Sequence, residues 1–170
     1  MIPSLASASY PLPEGFSDHT RVWIYQADRA FTDVEAEQVL ARLRAFTEAW
    51  AAHNVKLKAE GHLYFNRFVC LFADESATGA SGCSIDSSVR FIQGLEEAYQ
   101  LSLTNRMNMA YLDGDEVKTL PLQSLAEALS NGLIEENTLV FNNLVASIVD
   151  MRKGWIAPLE GSWQMKFAQP

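Results

Sequence analysis

The sequence predicts an α+β fold, with a mainly antiparallel sheet and helices packed on one face. Two amphipathic helical segments alternate along the chain with short runs of β-branched and aromatic residues. In order, the elements read β, α, β (or ββ), α, β, β, α, β, which can include a ferredoxin-like βαββαβ unit. The length of 170 residues fits one domain over residues 21–170, preceded by an extended, proline-containing arm over residues 1–20.

The first strand and the first helix carry the clearest local signals. Residues 21–26 (RVWIYQ) are rich in β-branched and aromatic side chains, which favour a strand. Thr32 and Glu35 have the spacing of a capping box at the start of a helix. The apolar residues that follow recur at spacings of three and four, and they predict the buried stripe of this helix: Ala36, Val39, Leu40, Leu43, Phe46 and Trp50.

Residues 55–74 predict either a hairpin or one long bent strand, because only Asn66 and Arg67 interrupt the apolar runs. This pair is more typical of a turn, although Arg67 could instead present a buried guanidinium to a ligand. A small-residue loop at 77–81 then leads to a second helix over about residues 86–100. Its predicted buried stripe is Val89, Ile92, Leu95 and Tyr99.

The second half of the chain begins with a predicted hairpin. Asp113-Gly114 separates two apolar runs, 107–112 and 116–120, and this dipeptide is typical of a type I′ turn. Residues 122–129 predict a short helix that ends at Asn131-Gly132. One more strand is expected to follow before the C-terminal segment.

That strand covers residues 138–141 (TLVF), and residues 142–153 have no clear type. Asn142 and Asn143 follow the strand, where they can cap the next element or place two amides at a strand end that binds a ligand. The known preference of Asn favours capping. The tail aromatics either cover the core or form a partner surface: Trp155, Trp163 and Phe167.

Composition narrows the functional classes. The net charge is −8, from 21 acidic and 13 basic residues, and the basic residues are scattered, so a nucleic-acid partner is not expected. No apolar run is long enough for a membrane span, and the N-terminus lacks the pattern of a signal peptide. Cys70 and Cys83 make neither a metal-ligand pair nor a disulfide framework. We therefore expect a soluble protein of the reducing cytoplasm, with no membrane partner and no metal.

The familiar cofactor and catalytic motifs are not found in the sequence. It contains no phosphate-binding loop with its lysine, no Gly-x-Gly-x-x-Gly, no His-Glu-x-x-His and no Gly-x-Ser-x-Gly. ATPase, dinucleotide-binding, zinc-protease and α/β-hydrolase activities consequently lose their usual support. No cofactor is predicted, and specific ATP binding is not expected.

The segment 82–88 is the one with a chemical character, because a thiol, hydroxyls and a carboxylate surround the start of a helix. Free N–H groups and the positive end of the helix dipole favour an anion there and can lower a thiol pKa. Simple helix capping explains the same residues and is the commoner case. The candidate ligand-binding residues are Gly82, Cys83, Ser84, Asp86 and Ser87, with Asn66 and Arg67 added from the sheet.

Two functional hypotheses follow. The first is a non-enzymatic domain that binds an unidentified small molecule or protein partner, with an anion site at 82–88. The alternative is a thiol-dependent enzyme or redox protein in which Cys83 is the catalytic residue. A cysteine nucleophile needs a base, and the chain offers only His19, His53 and His62, none at a spacing that points to Cys83.

Several segments resemble a small, uncharacterised bacterial family. They are residues 21–26, Asn66-Arg67-Phe68, 82–88 and 139–145, together with Trp155 and Trp163. The resemblance covers nearly the whole chain from Arg21 onward. Members of that family are sometimes labelled ABC transporter ATPases, a label that implies nucleotide binding, but this sequence carries no nucleotide-binding motif.

Overall fold

The computed structural model describes residues 10–52, 54–76 and 82–169, and in these ranges the protein has a three-stranded and a four-stranded antiparallel sheet that pack face to face, together with a small two-stranded sheet. The predicted α+β class is confirmed. In chain order the elements are β1 (Arg21–Gln26), α1 (Asp33–Ala49), β2 (Ala51–Ala52), β3 (Val55–Lys56), β4 (Lys58–Tyr64), β5 (Phe68–Asp74), α2 (Gly82–Tyr99), β6 (Asn108–Asp113), β7 (Glu116–Pro121), α3 (Leu125–Ser130), β8 (Leu139–Phe141), α4 (Ile148–Gly154) and β9 (Ile156–Pro158).

The first sheet has the strand order β1-β5-β4, and residues 55–74 form the hairpin alternative of the sequence prediction. Three residues, 65–67, join the two strands; Phe65 and Asn66 have φ values of 56° and 50°, and the Arg67 N–H donates to the Tyr64 carbonyl at 3.0 Å. Positive φ at both central residues is the geometry of a type I′ turn, whose twist matches that of the strands. Asn66 and Arg67 therefore lie in and beside the turn.

Helix α1 packs on the outer face of the first sheet, chiefly across β4. Thr32 and Glu35 form the predicted capping box. Trp50 is 2% exposed, as predicted, but Leu40 is 39% exposed and its predicted burial is wrong. The buried stripe passes through Leu43 to Thr47 instead, which leaves Phe46 half-buried. Gly61 of β4 permits the close approach, since a Cβ atom there would lie 2.7 Å from Leu43 Cδ2.

Helix α2 packs beside α1 on the same face and begins four residues before its predicted start. Ile92, Leu95 and Tyr99 are buried as predicted, whereas Val89 is 39% exposed and its predicted burial is wrong. The physical reason is that a serine, Ser88, takes the buried position that Val89 was expected to hold, one residue along the helix. Because Ser88 is polar, the apolar pattern placed Val89 on the buried face in its stead.

The second sheet has the strand order β7-β6-β8-β9, and β6 and β7 form the hairpin predicted at Asp113-Gly114. Its inner face packs on the first sheet around Phe68, Phe141 and Trp155, whose rings contact one another. The βαββαβ order of elements is present along the chain, but β6, its last strand, belongs to this second sheet. A single ferredoxin-like sheet is therefore not formed.

Both ends of the described chain pack on the sheets. Residues 1–9 of the predicted arm lie outside the described ranges, while Tyr10, Leu12 and Phe16 contact the core between the sheets. At the other end, a 3-10 turn at Trp163–Phe167 covers the outer face of the second sheet next to α3. The tail thus closes the side of the molecule opposite to α1 and α2.

Candidate functional site

The segment 82–88 forms the first turns of α2, and two of its hydroxyls, those of Ser87 and Ser88, donate to carbonyls of the same helix. Ser87 Oγ donates to the Ser84 carbonyl at 2.9 Å, and Ser88 Oγ donates to the Ile85 carbonyl at 2.6 Å. The Ser84 carbonyl also accepts from Trp50 Nε1 at 2.8 Å. Asp86 is exposed. These contacts serve the backbone of α2 and its attachment to Trp50.

Two of the predicted site residues, Gly82 and Cys83, add little to the description of this segment. Gly82 is exposed and has open space around its Cα atom. The Cys83 side chain and the loop 77–81 that precedes the helix lie outside the described part of the structure. The anion site at 82–88 and the catalytic Cys83 both stay predictions.

Asn66 and Arg67 take part in holding loops together. The Arg67 guanidinium donates to the carbonyls of Ala27 at 3.2 Å, Asp28 at 3.1 Å and Val117 at 3.2 Å. Burial lowers the pKa of Arg67. Asn66 Nδ2 donates to Asp33 Oδ1 at 3.3 Å. The described hydrogen bonds and ion pairs do not link this pair with residues 82–88, so the two predicted groups stay apart.

A cavity of about 200 Å³ lies along the outer edge of β1, where the two sheets and the tail meet. We call it the β1 cleft. Its wall combines four separate parts of the chain: the first strand, the segment before β6, the segment after β8 and the C-terminal 3-10 turn. The lining residues are 22–26, 103–106, 108, 109, 141, 143–145, 163 and 164.

A chain of side-chain amides holds one wall of the β1 cleft in place. Trp155 Nε1 donates to Asn143 Oδ1 at 3.0 Å, and Asn143 Nδ2 donates to Gln26 Oε1 at 2.8 Å. Gln26 Nε2 then donates to the Asn108 carbonyl at 3.3 Å. The chain of bonds fixes β1 to the second sheet, because each amide has both a donor and an acceptor in use. Asn143 thus stands at a strand end and lines a cavity, while Asn142 Oδ1 accepts from the Leu144 N–H at 3.1 Å.

Two buried polar atoms of the lining residues have no hydrogen-bond partner. They are the Trp163 Nε1 donor and the Gln164 Oε1 acceptor. Gln164 is 1% exposed, and its other amide atom, Nε2, is held by the Phe141 carbonyl at 2.9 Å. An unpaired buried donor or acceptor costs ~1–3 kcal/mol, and native structures leave few of them. Two residues of the cleft wall therefore each hold a polar atom that is enclosed by protein and has no partner.

Arg106 is the one residue with a formal charge among the described residues that line the β1 cleft. It is exposed and lies close enough to Tyr25 for its charge to act on that hydroxyl. Burial raises the pKa of Tyr25, and Arg106 together with a hydrogen bond to Ser88 opposes this shift. The cleft therefore offers a cationic group in a protein whose net charge is −8.

Sequence reasoning missed Trp163 and Gln164 as site residues and treated Trp163 only as a tail aromatic. The available signal was a glutamine within an otherwise aromatic and apolar tail, because buried glutamine is uncommon. That signal cannot show that the side-chain oxygen of Gln164 has no partner, because its surroundings include segments far away in the sequence, such as β8.

No protein-family model, curated protein or solved structure matches this chain. The resemblance to the bacterial family therefore stays a prediction. In the described ranges, no helix is both long and apolar enough to cross a bilayer. The same ranges hold no group of three or more His, Cys, Asp or Glu side chains placed to bind a metal ion.

Proposed function

We propose that this protein is a non-enzymatic binding domain that holds a small organic ligand in the β1 cleft. The observation that carries the proposal is the pair of unpaired, buried atoms, Trp163 Nε1 and Gln164 Oε1, in its wall. Both atoms are enclosed by protein, so a ligand bonds to them when the Trp163 or Gln164 side chain turns toward the cleft, and each such bond removes one desolvation penalty. The ligand site that we propose therefore lies at the edge of β1, whereas the candidate from the sequence was the helix start at 82–88.

The groups that line the cleft suit binding better than catalysis. Its titratable residues, among those described, are Tyr25 and Arg106. A general base must accept a proton near the working pH, and burial raises the pKa of Tyr25 away from that range. The amides of Gln26 and Asn143 already use their hydrogen-bonding atoms on the protein. The cleft therefore offers recognition groups on a fixed wall.

The four tryptophan indole N–H groups provide the test. A fragment library is screened by ¹H–¹⁵N correlation spectroscopy, with each indole signal assigned from its Trp→Phe variant. Ligands that occupy the β1 cleft are expected to shift the Trp163 indole signal strongly, because its N–H gains an acceptor. The Trp50 indole, already bonded to Ser84 outside the cleft, is the internal control and is expected to stay in place.

Two results would contradict the proposal. One is a screen whose hits leave the Trp163 indole unmoved. The other is a set of anionic hits that shift the backbone amides of residues 82–88 instead, which would restore the helix start as the binding site. The Trp163→Phe variant provides a separate check. It is expected to bind cleft ligands more weakly than the wild type while keeping its folded spectrum.

A further inference from the structure

The outer edge of β1 is open where it borders the cleft. The Val22 N–H donates to the Ala146 carbonyl at 3.0 Å on this edge, and among the described residues the pairing with that segment goes no further along the strand. On the opposite edge, β1 pairs with β5 over its full length. The main-chain groups on one edge of β1 are thus paired along the whole strand, whereas on the other edge the described pairing stops at Val22.

Ile24 presents its main-chain N–H and C=O to that open edge. In an antiparallel ladder, successive residues direct these groups to opposite edges. Val22 points outward, and the Ala27 N–H points inward to the Arg67 carbonyl at 2.8 Å, so both ends of the strand place Ile24 outward. Ile24 also lines the β1 cleft, so its main-chain donor and acceptor border the same cavity as Trp163 and Gln164.

The mouth of the cleft combines apolar surface with one positive charge. Leu144, a lining residue, is 61% exposed, and Met107, between two lining residues, is 59% exposed. Arg106 lies next to Met107 in the sequence and near Tyr25 in space. An occupant that matches all three features needs an apolar side chain, a carboxylate and a main chain that can pair with a strand.

We propose that the ligand is the C-terminal end of an extended peptide, whose main chain pairs with Ile24 and whose terminal carboxylate binds Arg106. Strand addition of this kind draws its affinity from main-chain hydrogen bonds and its specificity from side-chain pockets. The inference rests on the proposed function, since it assigns the ligand class of the same cleft. The main chain of a peptide carries acceptors and donors of the two kinds that Trp163 Nε1 and Gln164 Oε1 lack.

The geometry also gives the direction of the peptide. The segment containing Ala146 covers the N-terminal end of the β1 edge, and Arg106 lies by Tyr25 at the other end. A carboxylate at Arg106 therefore places the peptide C-terminus next to the C-terminus of β1. The bound segment runs parallel to β1.

The test compares matched probes by NMR titration. The first probe is a mixture of acetyl-Ala-Ala-Xaa peptides with a free carboxyl group, where Xaa is Leu, Ile, Val, Phe or Met. The second is the same mixture with C-terminal amides, and the third is 4-methylpentanoate, which has a carboxylate but no peptide group. The acids are expected to bind about tenfold more tightly than the amides, the effect of one charge-assisted hydrogen bond. They are also expected to slow hydrogen exchange of the Ile24 N–H, which 4-methylpentanoate should leave unchanged.

Two variants that remove the same charge separate a specific contact from general electrostatics. Arg106→Gln is expected to reduce the affinity for the acids to that for the amides. Arg90→Gln, at an exposed position of α2 outside the lining, is expected to leave the difference intact. Equal binding of acids and amides, or no protection of Ile24, overturns the peptide assignment.

The outcomes also keep this inference distinct from the proposed function. If fragment hits move the Trp163 indole and no peptide does, the cleft is a ligand site and the peptide assignment is wrong. If neither fragments nor peptides move that indole, both proposals fail.

Discussion

The start of α2 and the β1 cleft contrast in how their polar groups are satisfied. At the start of α2, Ser87 and Ser88 donate to carbonyls three residues back in the same helix. In the cleft, Trp163 Nε1 and Gln164 Oε1 are buried without a partner. Two of the hydroxyls that stand out in the sequence are thus satisfied within their own helix. The unpaired polar atoms are found instead where segments far apart in the sequence meet.

The largest expected effect tests how firmly the start of α2 is attached to the core. Trp50→Ala should lower the free energy of unfolding by ~3–5 kcal/mol, because a buried indole and its hydrogen bond to Ser84 are both lost. Leu40→Ala on α1 is the control, since Leu40 is partly exposed and should cost much less. Urea unfolding measures both. Similar losses for the two variants would contradict the burial of Trp50.

The next effect tests the amide chain in the cleft wall. Asn143→Ala should cost on the order of 2 kcal/mol, because it leaves Trp155 Nε1 and Gln26 Oε1 without partners. Asn105→Ala also changes a lining residue, but Asn105 is exposed and its oxygen accepts only the Met107 N–H at 2.9 Å. Its expected cost is under ~1 kcal/mol. A cost for Asn143→Ala no greater than for Asn105→Ala would show that the wall does not depend on this chain.

A smaller effect distinguishes a partnered indole from an unpartnered one. Trp155→Phe should destabilise the protein by ~1–3 kcal/mol, because Asn143 Oδ1 loses its donor. Trp163→Phe should cost less than ~1 kcal/mol, since it removes a buried N–H that has no partner and keeps an aromatic ring. Thermal unfolding of the unliganded variants gives the comparison. A larger loss for Trp163→Phe would mean that its N–H is satisfied in the free protein.

The smallest expected effect concerns the thiols and separates the two functional hypotheses of the sequence. Burial raises the pKa of Cys70, which is enclosed in the core between the sheets, so native protein should protect it from alkylation. For Cys83 we expect a rate with iodoacetamide no higher than that of a free thiol at neutral pH. Mass spectrometry of the two cysteine peptides gives both rates. Fast, selective labelling of Cys83 would favour the thiol-dependent enzyme.

Caps and turns could be predicted from the sequence because they depend on interactions between neighbouring residues. The Thr32–Glu35 capping box needs only neighbouring residues to satisfy the backbone, and it formed as predicted. The β6–β7 hairpin also formed, but its turn is Gly114–Asp115 and only Gly114 has a positive φ, so the predicted type I′ turn at Asp113-Gly114 is wrong. The same reasoning misplaced Leu40 and Val89. Helical spacing predicts which residues share a face, but Thr47 and Ser88 show that a buried face can include hydroxyls that bond to the helix backbone.

The candidate site shows the limit of that reasoning. The α+β class, the first strand, the two long helices and the hairpin of β6 and β7 could be predicted from the sequence, because period, capping and turn chemistry act over short distances. For residues 55–74 the sequence left a hairpin and one long bent strand open. The folded structure was needed to show that β6 joins a second sheet, that no described segment pairs with the outer edge of β1 at Ile24, and that Gln164, which lines the same cavity, is buried with one atom unpaired. Those facts depend on segments far apart in the chain, since a hydrogen bond is missing only when no part of the folded molecule provides it.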